Sequence, residues 1–223
     1  MVLWIWWLLI RPTSDKTQNV WDHLIPLEPM WEHVKRVLKP KGVAVFTAVQ
    51  PYTSMLVMSN LDWFKYDLVW QKTIGSGQLN INKQPLRTHE TVLVFYDNFG
   101  TYNEQTTLGS PYKIKRKMAQ FQTSYGKQRD HVSVNNGIRR AKSVIEIKNP
   151  RVKGGHSTEK PVKLMEHIIK TYSNPGEVVL DFAAGRFSTG IAANNTDRKF
   201  IGIEKDEYWF NRGVERIKIL DKQ

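Results

Sequence analysis

The 223-residue sequence contains no cysteine. Disulfide bonds, thiolate metal ligands and a cysteine nucleophile are therefore excluded, and the composition suits a reducing compartment. Long apolar runs are also scarce. Residues 1–10 are apolar but end at Arg11, short of the roughly 20 residues that cross a bilayer. This run also lacks the charged start and cleavage site of a signal peptide, so it predicts a buried strand in a cytoplasmic protein with no membrane segment.

Acidic residues are few compared with basic ones. There are 33 Lys and Arg against 21 Asp and Glu, which gives a net charge of +12 and an isoelectric point near 9.8. This imbalance favours a polyanionic partner, with nucleic acid first and an anionic membrane surface second. The 40% of hydrophobic residues excludes a disordered chain and is typical of a globular protein.

Both ends of the chain alternate helix and strand patterns, which predicts an α/β fold with parallel pairing. Apolar residues recur at helical spacing after Pro26 and after Pro161, whereas short β-branched runs indicate buried strands. The predicted helices cover residues 26–38, 53–61, 162–169, about 190–194 and 206–220, and the predicted strands cover residues 43–49, 66–70, 91–96, 178–182 and 200–203.

The middle of the chain, from residue 97 to about 155, is polar, basic and interspersed with aromatic residues. A basic run is often only a solvated face. Several basic clusters with aromatic residues in one insertion nevertheless favour a nucleic-acid surface. The candidate DNA-binding residues are Lys113, Lys115, Arg116, Lys117, Arg139 and Arg140.

Two acidic residues close predicted strands near the C-terminus. Asp181 ends one strand before a Gly-containing turn, and Glu204 ends the next strand. In nucleotide sites of parallel sheets, the turn admits the ligand and the second acid accepts hydrogen bonds from ribose hydroxyls. A purely structural turn is the alternative, because such turns occur in many folds.

Several collinear segments resemble the DNA amino-methyltransferases, which transfer a methyl group from S-adenosylmethionine to N6 of adenine or N4 of cytosine. The segments include residues 156–161 (HSTEKP), 174–181 (NPGEVVLD) and 200–204 (FIGIE). Residues 21–42 and 83–90 (KQPLRTHE) extend the match to nearly the whole chain. The order resembles phage-type or restriction–modification members whose catalytic motif precedes the cofactor motif.

This resemblance implies a Rossmann-like sheet with helices on both faces, S-adenosylmethionine as the cofactor, double-stranded DNA as the partner and no metal. It divides the chain into a catalytic half at residues 1–96, a DNA-recognition insertion at residues 97–155 and a cofactor-binding half at residues 156–223. The implied cofactor-binding residues are Lys160, Pro161, Asp181, Phe182, Gly185, Thr189 and Glu204.

Two departures from the family pattern fall on the chemistry. The catalytic Asp/Asn-Pro-Pro-Tyr motif aligns with Arg11, Pro12, Thr13 and Ser14. Arg11 has no hydrogen-bond acceptor for the amine, and Ser14 has no ring to stack on the base. In the cofactor loop, Arg186 and Phe187 replace a Ser-Gly pair, which predicts a clash with the ligand or a changed backbone path.

A shift of reading frame is one hypothesis for both departures. Synonymous codons for residues 1–13, read from their third base, spell Gly-Ser-Val-Asp-Leu-Val-Val-Thr-Asp-Pro-Pro-Tyr, which contains the missing motif. Loss of two bases likewise converts Gly-Ser-Gly into Gly-Arg-Phe. Ordinary divergence is the alternative, and the nucleotide sequence distinguishes them.

Three functions follow from these observations. The first is a DNA methyltransferase, with adenine favoured over cytosine, although the chain as written is expected to transfer methyl groups poorly or not at all. The second is a catalytically inactive DNA-binding or regulatory protein of the same fold. The third is another Rossmann-like enzyme, such as a dehydrogenase, which the basic insertion disfavours.

Overall fold

The computed structural model describes residues 3–7, 25–116, 130–149 and 159–220, with only the backbone described for residues 3–7, Arg116 and Leu220. The strands are, in chain order, β1 (Leu3–Trp7), β2 (Ala44–Ala48), β3 (Phe64–Ser76), β4 (Arg87–Phe95), β5 (Thr107–Leu108), β6 (Tyr112–Arg116), β7 (His131–Asn135), β8 (Ile138–Arg139), β9 (Val144–Glu146), β10 (Val178–Asp181) and β11 (Lys199–Gly202). The helices are α1 (Leu27–Val37), α2 (Tyr52–Met58), α3 (Val162–Tyr172), α4 (Ser188–Asn194) and α5 (Glu207–Leu220), with a short 3₁₀ helix at Gln78–Asn80.

Seven of these strands form one mixed sheet in the order β11-β10-β1-β2-β4-β3-β9. Strand β4 runs antiparallel to both of its neighbours, whereas the other pairs are parallel. The carboxyl ends of β10, β11 and β2 therefore lie at the same edge as the first residues of β4. This edge is where open parallel sheets place their ligands.

The sheet buries both faces because β2 and β4 contain consecutive buried apolar residues, at 44–46 and 92–95. Val43 and Val45 pack into one core cluster with α3 and α4, whereas Ala44 and Phe46 pack into the other with α1 and α2. Successive side chains of a strand point to opposite faces, so one short apolar run contributes to both clusters. The predicted α/β fold with helices on both faces is confirmed.

The apolar N-terminal run forms a strand, as predicted, and this strand lies inside the sheet. Strand β1 pairs in parallel with β10 on one side and β2 on the other. The helices and strands predicted elsewhere in the sheet unit are also found. For most of them, one or both bounds differ from the prediction. Within the described ranges, no helix is long and apolar enough to cross a membrane.

The chain divides into two compact units, residues 1–103 with 143–223 and residues 104–142. The smaller unit contains two antiparallel strand pairs, β5 with β8 and β6 with β7. Strand β9 belongs to the seven-stranded sheet although it lies within residues 97–155 of the sequence. The functional division at residues 96 and 155 stays a prediction.

Candidate cofactor loop and active site

The loop from β10 to α4 is shaped by the buried carboxylate of Asp181. One carboxylate oxygen accepts the Thr189 hydroxyl at 2.6 Å, and the other accepts the Ala183 backbone N–H at 3.1 Å. Both Asp181 and Thr189 are 0% exposed. In this structure these two predicted cofactor residues stabilise the loop through hydrogen bonds.

The end of β11 is tied to the same loop by Glu204. One oxygen of its carboxylate accepts the Gly185 N–H at 2.7 Å, and the other accepts the Asp206 N–H at 3.0 Å. Gly185 has a φ of +50°, and a Cβ added there would meet nothing within 4 Å. The loop is therefore open at Gly185, and a half-buried acceptor stands beside it.

Phe187 lies in the protein interior. Its φ is +58°, in the left-handed region that glycine favours, and its side chain is 6% exposed. The ring packs edge-on against Phe200 and Phe210, each at a centroid distance of 5.6 Å. Of the two consequences predicted for Phe187, the buried ring argues against a clash with a ligand, and the changed backbone path stays a prediction.

The ring of Phe187 lies where α5 has a glycine. A Cβ built on Gly213 would stand 2.6 Å from Cγ of Phe187, closer than side chains tolerate. A glycine inside a helix is unfavourable by about 1 kcal/mol relative to alanine. The close approach of the Phe187 ring explains why α5 has a glycine at position 213.

Arg186 is held by an acidic residue that precedes α3. Its guanidinium and that of Arg216 share the half-buried Glu159 carboxylate, at 3.2 and 2.6 Å. Arg216 also donates to the backbone carbonyl of Arg186 at 2.7 Å. Both replaced loop residues, Arg186 and Phe187, therefore have specific partners.

Lys160 belongs to a second buried cluster. Its ammonium binds Glu90 at 3.0 Å, and Lys72 binds the same carboxylate at 3.2 Å. Burial alone would raise the pKa of Glu90, but the charges and hydrogen bonds of the two lysines outweigh it and hold the pKa below its usual value. Burial lowers the pKa of the Lys160 ammonium, and Glu90 opposes that effect.

Sequence reasoning assigned no role to Glu90, Glu159, Lys72 or Arg216. Glu90 and Glu159 lie in segments that carry the family resemblance, and this was the one sequence feature that could have indicated a role for them. Nothing in the pattern pointed to Lys72 or Arg216, because their partners are distant in the chain.

The remaining predicted site residues have different outcomes. Pro161 is buried at the start of α3, and Phe182 is half-buried beside the loop. The catalytic position, Arg11, Pro12, Thr13 and Ser14, lies outside the described residues, as does Lys117. The structure does not test the roles predicted for any of them.

The predicted DNA-binding residues of the smaller unit fall into two groups. Lys113 and Lys115 are exposed on β6, opposite Val134 and Val132 of β7, and only the backbone of Arg116 is described. Arg139 instead stacks on the Tyr112 ring at 4.9 Å and donates to Asn135 and to the Ser110 carbonyl. Arg140, 84% exposed, pairs with Glu104 at 2.8 Å.

The mixed sheet with helices on both faces defines a Rossmann-like protein. The chain belongs to the N6/N4 DNA methylase family, whose model matches residues 11–215.

Individual relatives agree with this assignment. The type II methyltransferase M.HinfI of Haemophilus influenzae is 29% identical over 227 residues, which cover 94% of this chain and 58% of M.HinfI. The chain therefore spans less than two thirds of that relative. The DNA adenine methyltransferase YhdJ of Escherichia coli K12 is 45% identical over 64 residues, 29% of this chain and 22% of YhdJ.

Solved structures share the fold. The complex of M1.HpyAVI with SAM superposes with a TM-score of 0.60 at 20% identity, covering 96% of this chain and 88% of the other. The cytosine-N4-specific PvuII DNA methyltransferase superposes with a TM-score of 0.63 at 16% identity, covering 96% and 79%. At these identities the likeness establishes the fold alone.

Proposed function

We propose that this protein binds S-adenosylmethionine in the loop between β10 and α4 and methylates N6 of adenine in double-stranded DNA. The observation that carries the proposal is the pairing of Glu204 with the open Gly185 turn at the ligand-binding edge of the sheet. Membership of the N6/N4 DNA methylase family gives this site its chemistry.

The residues around the loop suit a nucleoside. Each carboxylate oxygen of Glu204 accepts one backbone N–H, whereas a carboxylate offers about four acceptor positions, so acceptor capacity remains for ribose hydroxyls. The empty space at Gly185 permits a close approach of ligand to backbone. When bound, S-adenosylmethionine supplies an electrophilic methyl group on a sulfonium.

The amine of the target base is a poor nucleophile because its lone pair is delocalised into the ring. The base is also inaccessible inside a duplex and must be flipped out. Family members hold the amine with acceptors and the base with an aromatic ring. At this position the chain has Arg11 and Ser14, which supply neither, so we expect slow transfer.

Adenine is favoured as the target because one relative points towards it. The segment shared with YhdJ belongs to a DNA adenine methyltransferase. The alternative target is N4 of cytosine, the specificity of the PvuII enzyme.

Contact with DNA is assigned to the exposed lysines of the smaller unit. Lys113 and Lys115 lie on one face of the β6–β7 hairpin, and their ammonium groups suit phosphate contacts. Arg139 is assigned to holding the β6–β7 pair, since two of its guanidinium nitrogens donate to acceptors inside the unit.

Calorimetric titration with S-adenosylmethionine tests the cofactor site. We expect binding by the wild type and a loss of roughly tenfold or more in affinity for Glu204→Gln, which replaces one acceptor oxygen by a donor. Glu215→Gln on α5, which alters an exposed pair with Arg212, is the matched control. Equal affinity of the Glu204 variant and the wild type would remove Glu204 from the site.

Transfer of labelled methyl groups to duplex DNA tests the reaction, and nucleoside analysis separates N6-methyladenine from N4-methylcytosine. The variant Arg11→Asp/Thr13→Pro/Ser14→Tyr should transfer at least roughly a hundredfold faster than the wild type, since one lost transition-state donor or acceptor costs that much. Equal and efficient transfer by the unmodified chain would show that other residues activate the amine.

A catalytically inactive DNA-binding protein is the second candidate function. Arg11 and Ser14 at the catalytic position favour it. It predicts that the wild type binds DNA without transferring methyl groups, and binding of S-adenosylmethionine distinguishes the two candidates.

A further inference from the structure

Two adjacent residues before α3 direct their side chains into different ion-pair clusters. Glu159 binds Arg186 of the β10–α4 loop and Arg216 of α5, whereas Lys160 binds Glu90 of β4. Strands β1 and β2 separate β10 from β4 in the sheet. The dipeptide therefore links the cofactor loop to a strand on the other side of the sheet's centre.

The Glu90 cluster holds Lys160 in one place. The side chains of Lys160, Lys72 and Glu90 are 3%, 8% and 8% exposed. Both ammonium groups also lie over the ring of Trp70, at 6.0 and 5.9 Å, and Trp70 is the cross-strand neighbour of Glu90. Moving Lys160 away would take one of two ammonium partners from the buried Glu90 carboxylate, and breaking an ion pair at this depth is unfavourable.

Anchoring Lys160 also restricts the β10–α4 loop, because the adjacent residue, Glu159, binds that loop. Adjacent Cα atoms are about 3.8 Å apart, so anchoring Lys160 limits where the Glu159 carboxylate can lie. That carboxylate binds the Arg186 side chain, and Arg216 binds the Arg186 carbonyl at 2.7 Å. Side chain and main chain of the loop are thus both connected to the Glu159–Lys160 segment.

We propose that Glu90 is a positioning residue for the cofactor, which sets the place of the Gly185–Arg186 turn through Lys160 and Glu159. Glu90 itself acts from β4 and needs no contact with the ligand. This inference rests on the proposed function of the loop, and Glu90→Gln is the variant that tests it.

Two variants serve as matched controls. Lys72→Met removes the other ammonium from the same carboxylate at the same depth, but leaves the Glu90–Lys160 pair in place. Glu177→Gln breaks the Lys39–Glu177 pair, which joins two segments at the opposite edge of the sheet, before β10 begins. Both lose an ion pair between distant segments without breaking the link to the loop.

Two measurements are made on each full-length variant, the affinity for S-adenosylmethionine and the amide hydrogen exchange of residues 183–187 without ligand. For Glu90→Gln we expect an affinity roughly tenfold weaker and faster exchange in the loop. For the two controls we expect affinities within about twofold of the wild type and unchanged loop exchange.

Equal effects of Glu90→Gln and Lys72→Met would overturn the proposal, because they would reflect general destabilisation. Unchanged affinity and exchange in Glu90→Gln would overturn it as well. If Glu90→Gln does not fold, Glu90→Asp, which retracts the carboxylate from Lys160, should show the same changes at smaller size, and their absence counts against the proposal. If the wild type binds no S-adenosylmethionine, the proposed function fails, while loop exchange still decides whether Glu90 positions the turn.

Discussion

Different interactions stabilise the interior of each of the two compact units. The larger unit buries two apolar clusters against the faces of its sheet, whereas in the described part of the smaller unit only Gly137 is buried. The smaller unit uses the Arg139 guanidinium instead, which contacts a ring, an amide and a carbonyl. Its valines and isoleucines are exposed, among them Val134 at 65%.

This difference indicates where each unit tolerates change. Apolar burial sums many contacts, so a large side chain deleted from the sheet unit costs a large and local amount of stability. A unit that buries little side-chain surface depends on its strand pairs and on side-chain contacts such as those of Arg139. The sequence changes expected to matter for stability and for DNA binding therefore differ between the units.

The largest effect is expected from Phe187→Ala in the larger unit. The ring is 6% exposed and packs against two other rings, so its removal should lower the free energy of unfolding by about 3–5 kcal/mol. Urea denaturation measures the loss. Phe99→Ala, where the ring is 76% exposed, should change stability by less than about 1 kcal/mol.

The next largest effect is expected from Arg139→Ala in the smaller unit. Charged hydrogen bonds and the stack on Tyr112 are lost together, so local stability should fall by about 2 kcal/mol. Hydrogen exchange of residues 107–116 reports it. The neighbouring Arg140→Ala, whose side chain is 84% exposed, should leave exchange nearly unchanged, and equal effects would contradict the distinction drawn between the two arginines.

A smaller effect is expected from Gly213→Ala. In an ordinary helix interior this change stabilises, but here the new Cβ would meet the Phe187 ring, so we expect a loss of about 1–2 kcal/mol. The double variant Gly213→Ala/Phe187→Ala removes the clash and should be more stable than Phe187→Ala alone. Thermal denaturation of the four proteins distinguishes the cases, and stabilisation by the single change would contradict the close packing.

The smallest effect on stability, with a clear effect on DNA binding, is expected from Lys113→Ala/Lys115→Ala. Surface changes of this kind alter stability by at most about 0.5 kcal/mol. Log affinity for DNA falls as log salt rises, and each lost phosphate contact makes the slope of this dependence shallower by roughly 0.9. Binding of duplex DNA at several salt concentrations measures the slope. A slope equal to that of the wild type would place the DNA surface elsewhere.

Local sequence pattern was sufficient for most elements of the sheet unit. Residues 43–49 and 91–96 are short apolar runs, and both became central strands. The antiparallel direction of β4 and the membership of β9 in the main sheet were not predicted, because direction and pairing depend on connections between segments distant in the chain. The positions of Asp181 and Glu204 at strand ends were predicted, but their hydrogen bonds to the loop were not.

The outcome for Phe187 shows why the remainder of the site needed the structure. From sequence, a phenylalanine in a glycine position of a ligand loop predicts a clash or a changed path. Whether the ring can avoid a ligand depends on whether space exists behind the loop, and that space comes from Gly213, on α5.

The sequence by itself determined the alternation of helices and strands, the basic charge and the family resemblance, because these depend on residue type and local spacing. The tertiary structure alone decided which charges share a carboxylate, as in the Glu90 and Glu159 clusters, and which arginine of the smaller unit stacks on Tyr112. Ion pairs form between side chains that folding brings within about 4 Å, and no local pattern records that distance.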